Sequence, residues 1–339
     1  MDNEQSLTPV REAHALDEQT LSAYLGDQLN EDFSRMKVLQ FEGGQSNPTF
    51  MIENAGQKYV MRKKPPGKLL KSAHAVDREY RIMSALQDTD VPVPKTYHLC
   101  EDDSIIGTPF FMMQCVEGRV ITDPGLEDLA PTDRRALYDD AIRVMAALHA
   151  VDHESVGLGD FGRPGNYYAR QISRWSKQYI ASKTEELESM ERLMEWLPEH
   201  IPESDETTIV HGDYRIGNTI IHPTKAKLAA VLDWELSTLG HPLADLAYFV
   251  AYSKQAHADG PNPDIPSEDE IVAAYCTYAD RKSIDHWNFY MVFTLFRSAG
   301  ISQGVYKRGL DGNASSQFWQ RAGEVVPRYA DQAWQLAQA

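Results

Sequence analysis

The chain has 339 residues, 42% of them hydrophobic and 24% charged, which is enough apolar material for two sizeable cores in a soluble globular protein. Lysine and arginine number 33 against 50 aspartate and glutamate, and the resulting formal charge of −17 opposes broad attraction to nucleic acid or anionic lipid. No stretch approaches ~18 consecutive apolar residues, the acidic N-terminus lacks an apolar leader core, and Cys100, Cys115 and Cys276 lie far apart without C-x-x-C spacing, so the expectation is an unexported cytoplasmic protein with no membrane partner, disulfide framework or zinc site.

Asp17 followed by Leu21, Tyr24, Leu25 and Leu29 predicts a capped helix over 17–29. Strands are predicted over 36–41 and 49–52, joined by the turn Gly43-Gly44-Gln45-Ser46-Asn47. Two glycines let backbone N–H groups approach an anion, and Ser46 and Asn47 add donors suited to a β- or γ-phosphate, although Gly-Gly is also an ordinary hairpin turn. A third strand, 58–62, ends on Arg62. After Pro65-Pro66-Gly67 comes a predicted helix over 75–86 carrying Glu79, which on its own reads equally as a surface partner of Arg78 or Arg81. Lys63, Lys64, Lys68 and Lys71 make a basic loop, by default a solvated one, or else a contact for a phosphate-bearing ligand such as coenzyme A. The near-continuous apolar run 110–116 predicts a buried strand leading to Glu117-Gly118.

Helices dominate after Pro131, with apolar spacing over 136–151, 167–180 and 185–197. His149 and His153 stand at i, i+4 but have no evident third ligand. The segment that organises the chain is 209–235, IVHGDYRIGNTIIHPTKAKLAAVLDWE. Apolar runs at Ile220-Ile221 and at 228–232 flank a turn, and two short strands there bring Asp213, Asn218 and Asp233 to one mouth. Phosphoryl transfer from ATP needs this set: a carboxylate that orients the attacking hydroxyl and accepts its proton, with an amide and a second carboxylate to hold Mg²⁺. Singly, each is an ordinary cap or turn residue. His211 is expected to pack behind the loop. Beyond it lie Gly240-His241-Pro242-Leu243-Ala244-Asp245, a surface loop over 254–268, a helix over 268–279 and the apolar segment 287–304, in which Arg297 must pair with a carboxylate or face an acidic substrate.

The pattern H-G-D-x-x-x-x-N, an apolar strand and D-W-E resembles the catalytic and metal-binding segments of the aminoglycoside phosphotransferase and choline kinase family. RKKPPGKLLKSAHAVDREY, together with Arg297, Gln303 and Tyr306, is similar to the kinase-type domain fused to certain acyl-CoA dehydrogenases. The resemblance implies an α+β, two-lobed protein-kinase-like fold: an N-terminal antiparallel-sheet lobe over 1–116 and a larger, mainly helical lobe over 117–339. It implies Arg62, positioned by Glu79, on the α- and β-phosphates, with Lys63 as the alternative if the strand register differs. It further implies backbone contacts from Gln114 and Val116 to adenine, a backbone-bonding task for Asp245, and substrate contacts from Arg297, Gln303 and Tyr306. Gly212 replaces the protein-kinase Arg and Trp234-Glu235 replaces Phe-Gly, so activation-loop regulation is not implied.

The expectation is therefore an ATP- and Mg²⁺-dependent kinase of a small-molecule hydroxyl, with a hydroxyacyl-CoA or hydroxy acid favoured by the resemblance. An aminoglycoside acceptor and a nucleotide-binding pseudokinase stand as alternatives. The sequence leaves the oligomeric state open.

Overall fold

The structure, a computed structural model, describes residues 7–42, 47–65, 75–204, 206–258, 260–312 and 319–339. Its N-terminal part is a six-stranded antiparallel sheet ordered β1-β2-β3-β4-β6-β5, built from β1 (Leu7–Thr8), β2 (Lys37–Phe41), β3 (Thr49–Asn54), β4 (Gln57–Lys63), β5 (Thr96–Cys100) and β6 (Phe110–Gln114). Three helices accompany it: α1 (Glu18–Leu29), α2 (Val76–Leu86) and the short α3 (Asp103–Ile106). Asp17 caps α1 by accepting the Thr20 N–H at 3.0 Å, which places Leu21 and Leu25 on the buried stripe one turn apart.

Side chains alternate across a strand, so β4 feeds two cores. Tyr59 and Met61 join Leu21, Leu25, Phe50 and Phe110 under α1, whereas Val60 joins Val76, Ile82 and Met83 of α2. The same alternation puts the two candidate cations on opposite faces. Arg62 shares the α2 face with Val60, while Lys63 points the other way, its Nζ 5.8 Å from the Phe50 ring centre, and burial holds its ammonium below the usual lysine range.

The C-terminal part is mainly helical. It comprises α4 (Pro131–Ala150), α5 (Tyr167–Ser182), α6 (Glu188–Glu199), β7 (Thr208–Val210), β8 (Thr219–Ile221), β9 (Leu228–Val231), β10 (Thr238–Gly240), α7 (Leu243–Ser253), α8 (Glu268–Tyr278), α9 (Trp287–Leu310) and α10 (Trp319–Ala337). Proline stands in the first turn of α4, where its missing N–H costs nothing, and a Ser267/Glu270 capping box opens α8. One apolar core runs from α2 and β6 through α4, α7 and α9. No helix among the described residues is long and apolar enough to cross a membrane.

Two small antiparallel pairs matter most. β7 pairs with β10 through Val210↔Thr238, and β8 pairs with β9 through Thr219↔Val231. The loop after β7 and the loop after β9 thus leave their strands side by side, and the Leu232 N–H donates to the Asn218 carbonyl at 2.8 Å.

Candidate active site

Glu79 lies on the first turn of α2 with a side chain only 1% exposed, its Oε2 3.3 Å from Arg62 Nε and its Oε1 accepting Asn47 Nδ2 at 2.8 Å. The surface-partner reading of Glu79 is overturned, because the neighbouring arginines are engaged elsewhere. Arg78 donates to the Phe161 carbonyl at 2.7 Å, and Arg81 binds the Gly157 carbonyl and Asp160. Burial pushes the Glu79 carboxyl up to about 7 against the pull of Arg62. For Arg62, burial acts to lower the pKa, and the charges of Glu79 and Asp233 outweigh it, so the guanidinium is held charged.

Arg62 also reaches across to the helical part, where its Nη2 donates to Asp233 Oδ1 at 2.8 Å. Asp233 ends the β9 segment in the left-handed conformation, φ 66° and ψ 54°, a backbone that non-glycine residues adopt at a cost. That turn sends Trp234 into the core, its indole N–H donating to the Val231 carbonyl at 3.0 Å, while the Asp233 carboxylate stays 34% exposed.

Asp213 sits on the loop after β7. Its Oδ2 and its backbone carbonyl accept the Asn218 amide, at 2.7 and 3.0 Å, and its Oδ2 lies 3.5 Å from Arg215 Nε; Tyr248 stands close enough that the Asp213 charge, after burial, raises its phenol's pKa. With the Asn218 amide nitrogen donating to Asp213, Oδ1 is what Asn218 can offer a cation. His211 Nδ1 accepts the Asp213 N–H at 3.2 Å and Nε2 faces the Leu232 carbonyl at 2.8 Å, so the imidazole ties the two loops together from behind. Asp245, 1% exposed, accepts the N–H of His211 at 2.6 Å and that of Gly212 at 2.8 Å, and faces His149 Nε2 at 3.4 Å. His149 thereby serves Asp245, its other nitrogen meeting Tyr275 Oη at 2.8 Å.

The donor chemistry fits Mg²⁺ with nucleotide phosphates. Asn218 Oδ1 and the Asp233 carboxylate are hard oxygen donors, and Mg²⁺ is ordinarily held by one or two carboxylates plus phosphate oxygens and water. Among the described residues no three His, Cys, Asp or Glu side chains converge as an all-protein metal cage.

The structure thus brings together Arg62, Glu79, Asp213, Asn218 and Asp233. Asn47 joins them differently from the phosphate donor anticipated: it is fully buried, with its amide given to Glu79. Gly44 and Ser46, and likewise Lys68 and Lys71, lie outside the described residues. Gln114 ends β6 with its N–H donated to the Lys95 carbonyl at 2.7 Å, so a backbone contact from it to a base falls to its carbonyl, two residues before Val116.

The three α9 residues diverge. Arg297 donates through Nη2 to the Gly212 carbonyl at 2.7 Å, so its partner within the fold is a backbone oxygen rather than the carboxylate anticipated as one alternative. Gln303 is buried and donates to the Ser182 carbonyl at 2.8 Å, fastening α9 to the end of α5, and Tyr306 packs on Trp319 of α10 with ring centres 6.0 Å apart. Both contacts are helix-to-helix and neither involves the Asp213 cluster. Sequence reading missed Arg215 and Tyr248. Arg215 lies inside the H-G-D-x-x-x-x-N segment, and Tyr248 follows Asp245 by one helical turn, a spacing that puts both on one face of α7.

The phosphotransferase enzyme family model matches residues 37–287. The chain is 46% identical over 340 residues to acyl-CoA dehydrogenase family member 10 of Mus musculus, covering 97% of this chain and 32% of that protein. It is 38% identical to acyl-CoA dehydrogenase family member 11 of Homo sapiens, covering 98% of this chain and 45% of the relative. The chain therefore spans less than half the length of either relative. Among solved structures, a putative aminoglycoside phosphotransferase from Ralstonia eutropha is 45% identical with a TM-score of 0.87, covering 96% of this chain and 99% of that one. An aminoglycoside phosphotransferase in ternary complex with ADP and hygromycin B shares the fold at 15% identity, with a TM-score of 0.62, over 94% of this chain and 99% of that one. The fold is thus the two-lobed, kinase-like α+β arrangement, with an antiparallel-sheet part and a larger helical part.

Proposed function

The chain belongs to the phosphotransferase enzyme family and is a small-molecule kinase, and from that premise we propose that it transfers the γ-phosphoryl group of ATP, with Mg²⁺, to a hydroxyl of a hydroxyacyl-CoA or hydroxy acid. The observation that carries the reaction type is the convergence of Asp213, Asn218 and Asp233 with an Arg62 that is paired to the buried Glu79. In this reading Asp213 orients the acceptor hydroxyl and takes its proton, and Asn218 fixes the carboxylate through its amide nitrogen. Asn218 Oδ1 and Asp233 are the residues that hold Mg²⁺, which when bound neutralises charge on the phosphate oxygens. Arg62, released from Asp233 and kept by Glu79, lies on the α- and β-phosphates. Adenine falls to the backbone around Gln114 and Val116.

The acceptor class rests on likeness to the acyl-CoA dehydrogenase family members, which this chain matches over a part of their length. It is supported by Arg215 beside the Asp213 loop, since a guanidinium group suits an anionic acceptor better than a cationic antibiotic. The competing aminoglycoside reading draws on the Ralstonia eutropha structure's description.

The test is acceptor-dependent ADP release with ATP and Mg²⁺ across hydroxyacyl-CoAs, hydroxy acids, aminoglycosides and amino alcohols, with Asp213→Asn as control. Turnover with a hydroxyacyl-CoA or hydroxy acid that the substitution abolishes supports the proposal. Turnover confined to aminoglycosides refutes the acceptor class. ATP binding with no turnover on any acceptor favours a nucleotide-binding pseudokinase.

A further inference from the structure

We propose that Arg297 is a positioning residue for the catalytic loop, fixing from α9 the peptide that carries Asp213; the inference rests on the phosphotransfer reading of Asp213. The peptide between Gly212 and Asp213 is bonded at both ends. Its oxygen accepts Arg297 Nη2 at 2.7 Å and its N–H donates to His211 Nδ1 at 3.2 Å. The preceding peptide is held as well, through the Gly212 N–H to Asp245 at 2.8 Å. Rotation of the Gly212–Asp213 peptide is the motion that would swing the Asp213 side chain, and Arg297 opposes it from the side that neither His211 nor Asp245 reaches.

Gly212 suits this arrangement. It has φ +85°, and a Cβ there would stand 2.8 Å from the Leu236 carbonyl oxygen, so the loop passes too close to that segment to carry a side chain. Support for the carbonyl has to come from elsewhere in the chain, and α9 provides it, 85 residues later.

Arg297 is itself held. Its guanidinium carbon lies 5.8 Å from the Trp175 ring centre and 5.5 Å from that of Tyr248. Tyr248 in turn stands near the Asp213 carboxylate, so Arg297 and the rings of α5 and α7 that brace it lie at the same loop. A guanidinium braced by two rings and donating to a backbone carbonyl is oriented by the protein, which distinguishes it from a cation placed to follow a ligand.

The experiment compares wild type, Arg297→Met and Arg297→Lys in acceptor-dependent ADP release, with hydrogen exchange of the 208–218 segment read in parallel. The expected result is a fall in kcat of about 10²-fold for Arg297→Met, since misplacement by about an ångström costs that much. KM for ATP and acceptor should stay within about threefold, exchange in the segment should quicken, and Arg297→Lys should recover part of the rate. A raised acceptor KM with kcat preserved would overturn the proposal in favour of a substrate contact. A loss that only tracks the folded fraction would overturn it in favour of general stability. If the wild type turns over no acceptor, the phosphotransfer reading fails separately, and unchanged exchange in a folded Arg297→Met overturns the loop assignment on its own. Arg297→Lys also carries both readouts should Arg297→Met not fold.

Discussion

Replacing Asp245 by Asn tests how the catalytic loop is anchored. The native carboxylate is 1% exposed and accepts two backbone N–H groups, from His211 at 2.6 Å and from Gly212 at 2.8 Å. An isosteric amide keeps one acceptor oxygen and turns an NH₂ group toward the other N–H. The variant loses one bond to a charged acceptor, about 1.5–3 kcal/mol, and strands a buried donor, about 1–3 kcal/mol, partly offset by no longer burying a charge. A net cost of roughly 3 kcal/mol corresponds to a fall in Tm of about 6–12 °C for a unit the size of the helical part.

The pH dependence of that cost follows from Asp245 itself. Burial acts to raise its pKa and is outweighed by the His149 hydrogen bond and by the His149 and His211 interactions, which leave it below the usual carboxylate value. A carboxyl depressed on folding stabilises the protein above its unfolded pKa of about 3.9 and loses that contribution as pH falls through the folded value. Scanning calorimetry of both proteins from pH 7 downward should show a constant gap in Tm until about pH 4 and a narrowing gap below. A difference under about 2 °C at neutral pH, or a gap that widens in acid, would refute the anchoring argument.

Gly212→Ala forces an alanine to φ +85° with its Cβ 2.8 Å from the Leu236 oxygen, and urea unfolding should show a loss of about 2–4 kcal/mol together with lost turnover. Arg62→Lys exchanges a fork that spans Glu79 and Asp233 for a single ammonium, and steady-state kinetics should give a KM for ATP raised about 10–100-fold. Asp233→Asn should shift the Mg²⁺ titration of activity upward by at least about tenfold, and chelation of Mg²⁺ should abolish turnover in the wild type.

Much of this site could be read in the sequence because its residues are local. Asp213, Asn218 and Asp233 lie within 21 positions, flanking a β8–β9 hairpin whose apolar runs and turn have short-range signals. That Arg62, rather than Lys63, lies on the face of Val60 was also within reach from strand alternation, but that α2 and Glu79 cover that face was not. Partners distant in sequence were not legible. Nothing near Arg297 predicts a carbonyl 85 residues earlier, and nothing near Asn47 predicts that its amide belongs to Glu79 rather than to a phosphate. Helix α10 was not predicted although Val326, Tyr329, Ala330, Ala333 and Trp334 recur at helical spacing, because Pro327 inside it reads as a breaker. Helix α4 starts before the expected segment, at Pro131, on mostly exposed residues where a first-turn proline suits a helix, and α9 runs on to Leu310 with Tyr306 packed on Trp319 of α10.

The central claim is that Asp213 performs the proton transfer in a centre that otherwise only binds and orients. Single-turnover transfer of the γ-phosphoryl group from ATP, measured beside calorimetric binding of ATP with Mg²⁺ in wild type and Asp213→Asn, tests it most directly. The account predicts nucleotide affinity within about threefold of wild type and transfer slowed by about 10²–10⁴-fold, the range for a lost general base. Transfer within a few-fold of wild type, with binding equally intact, would contradict it.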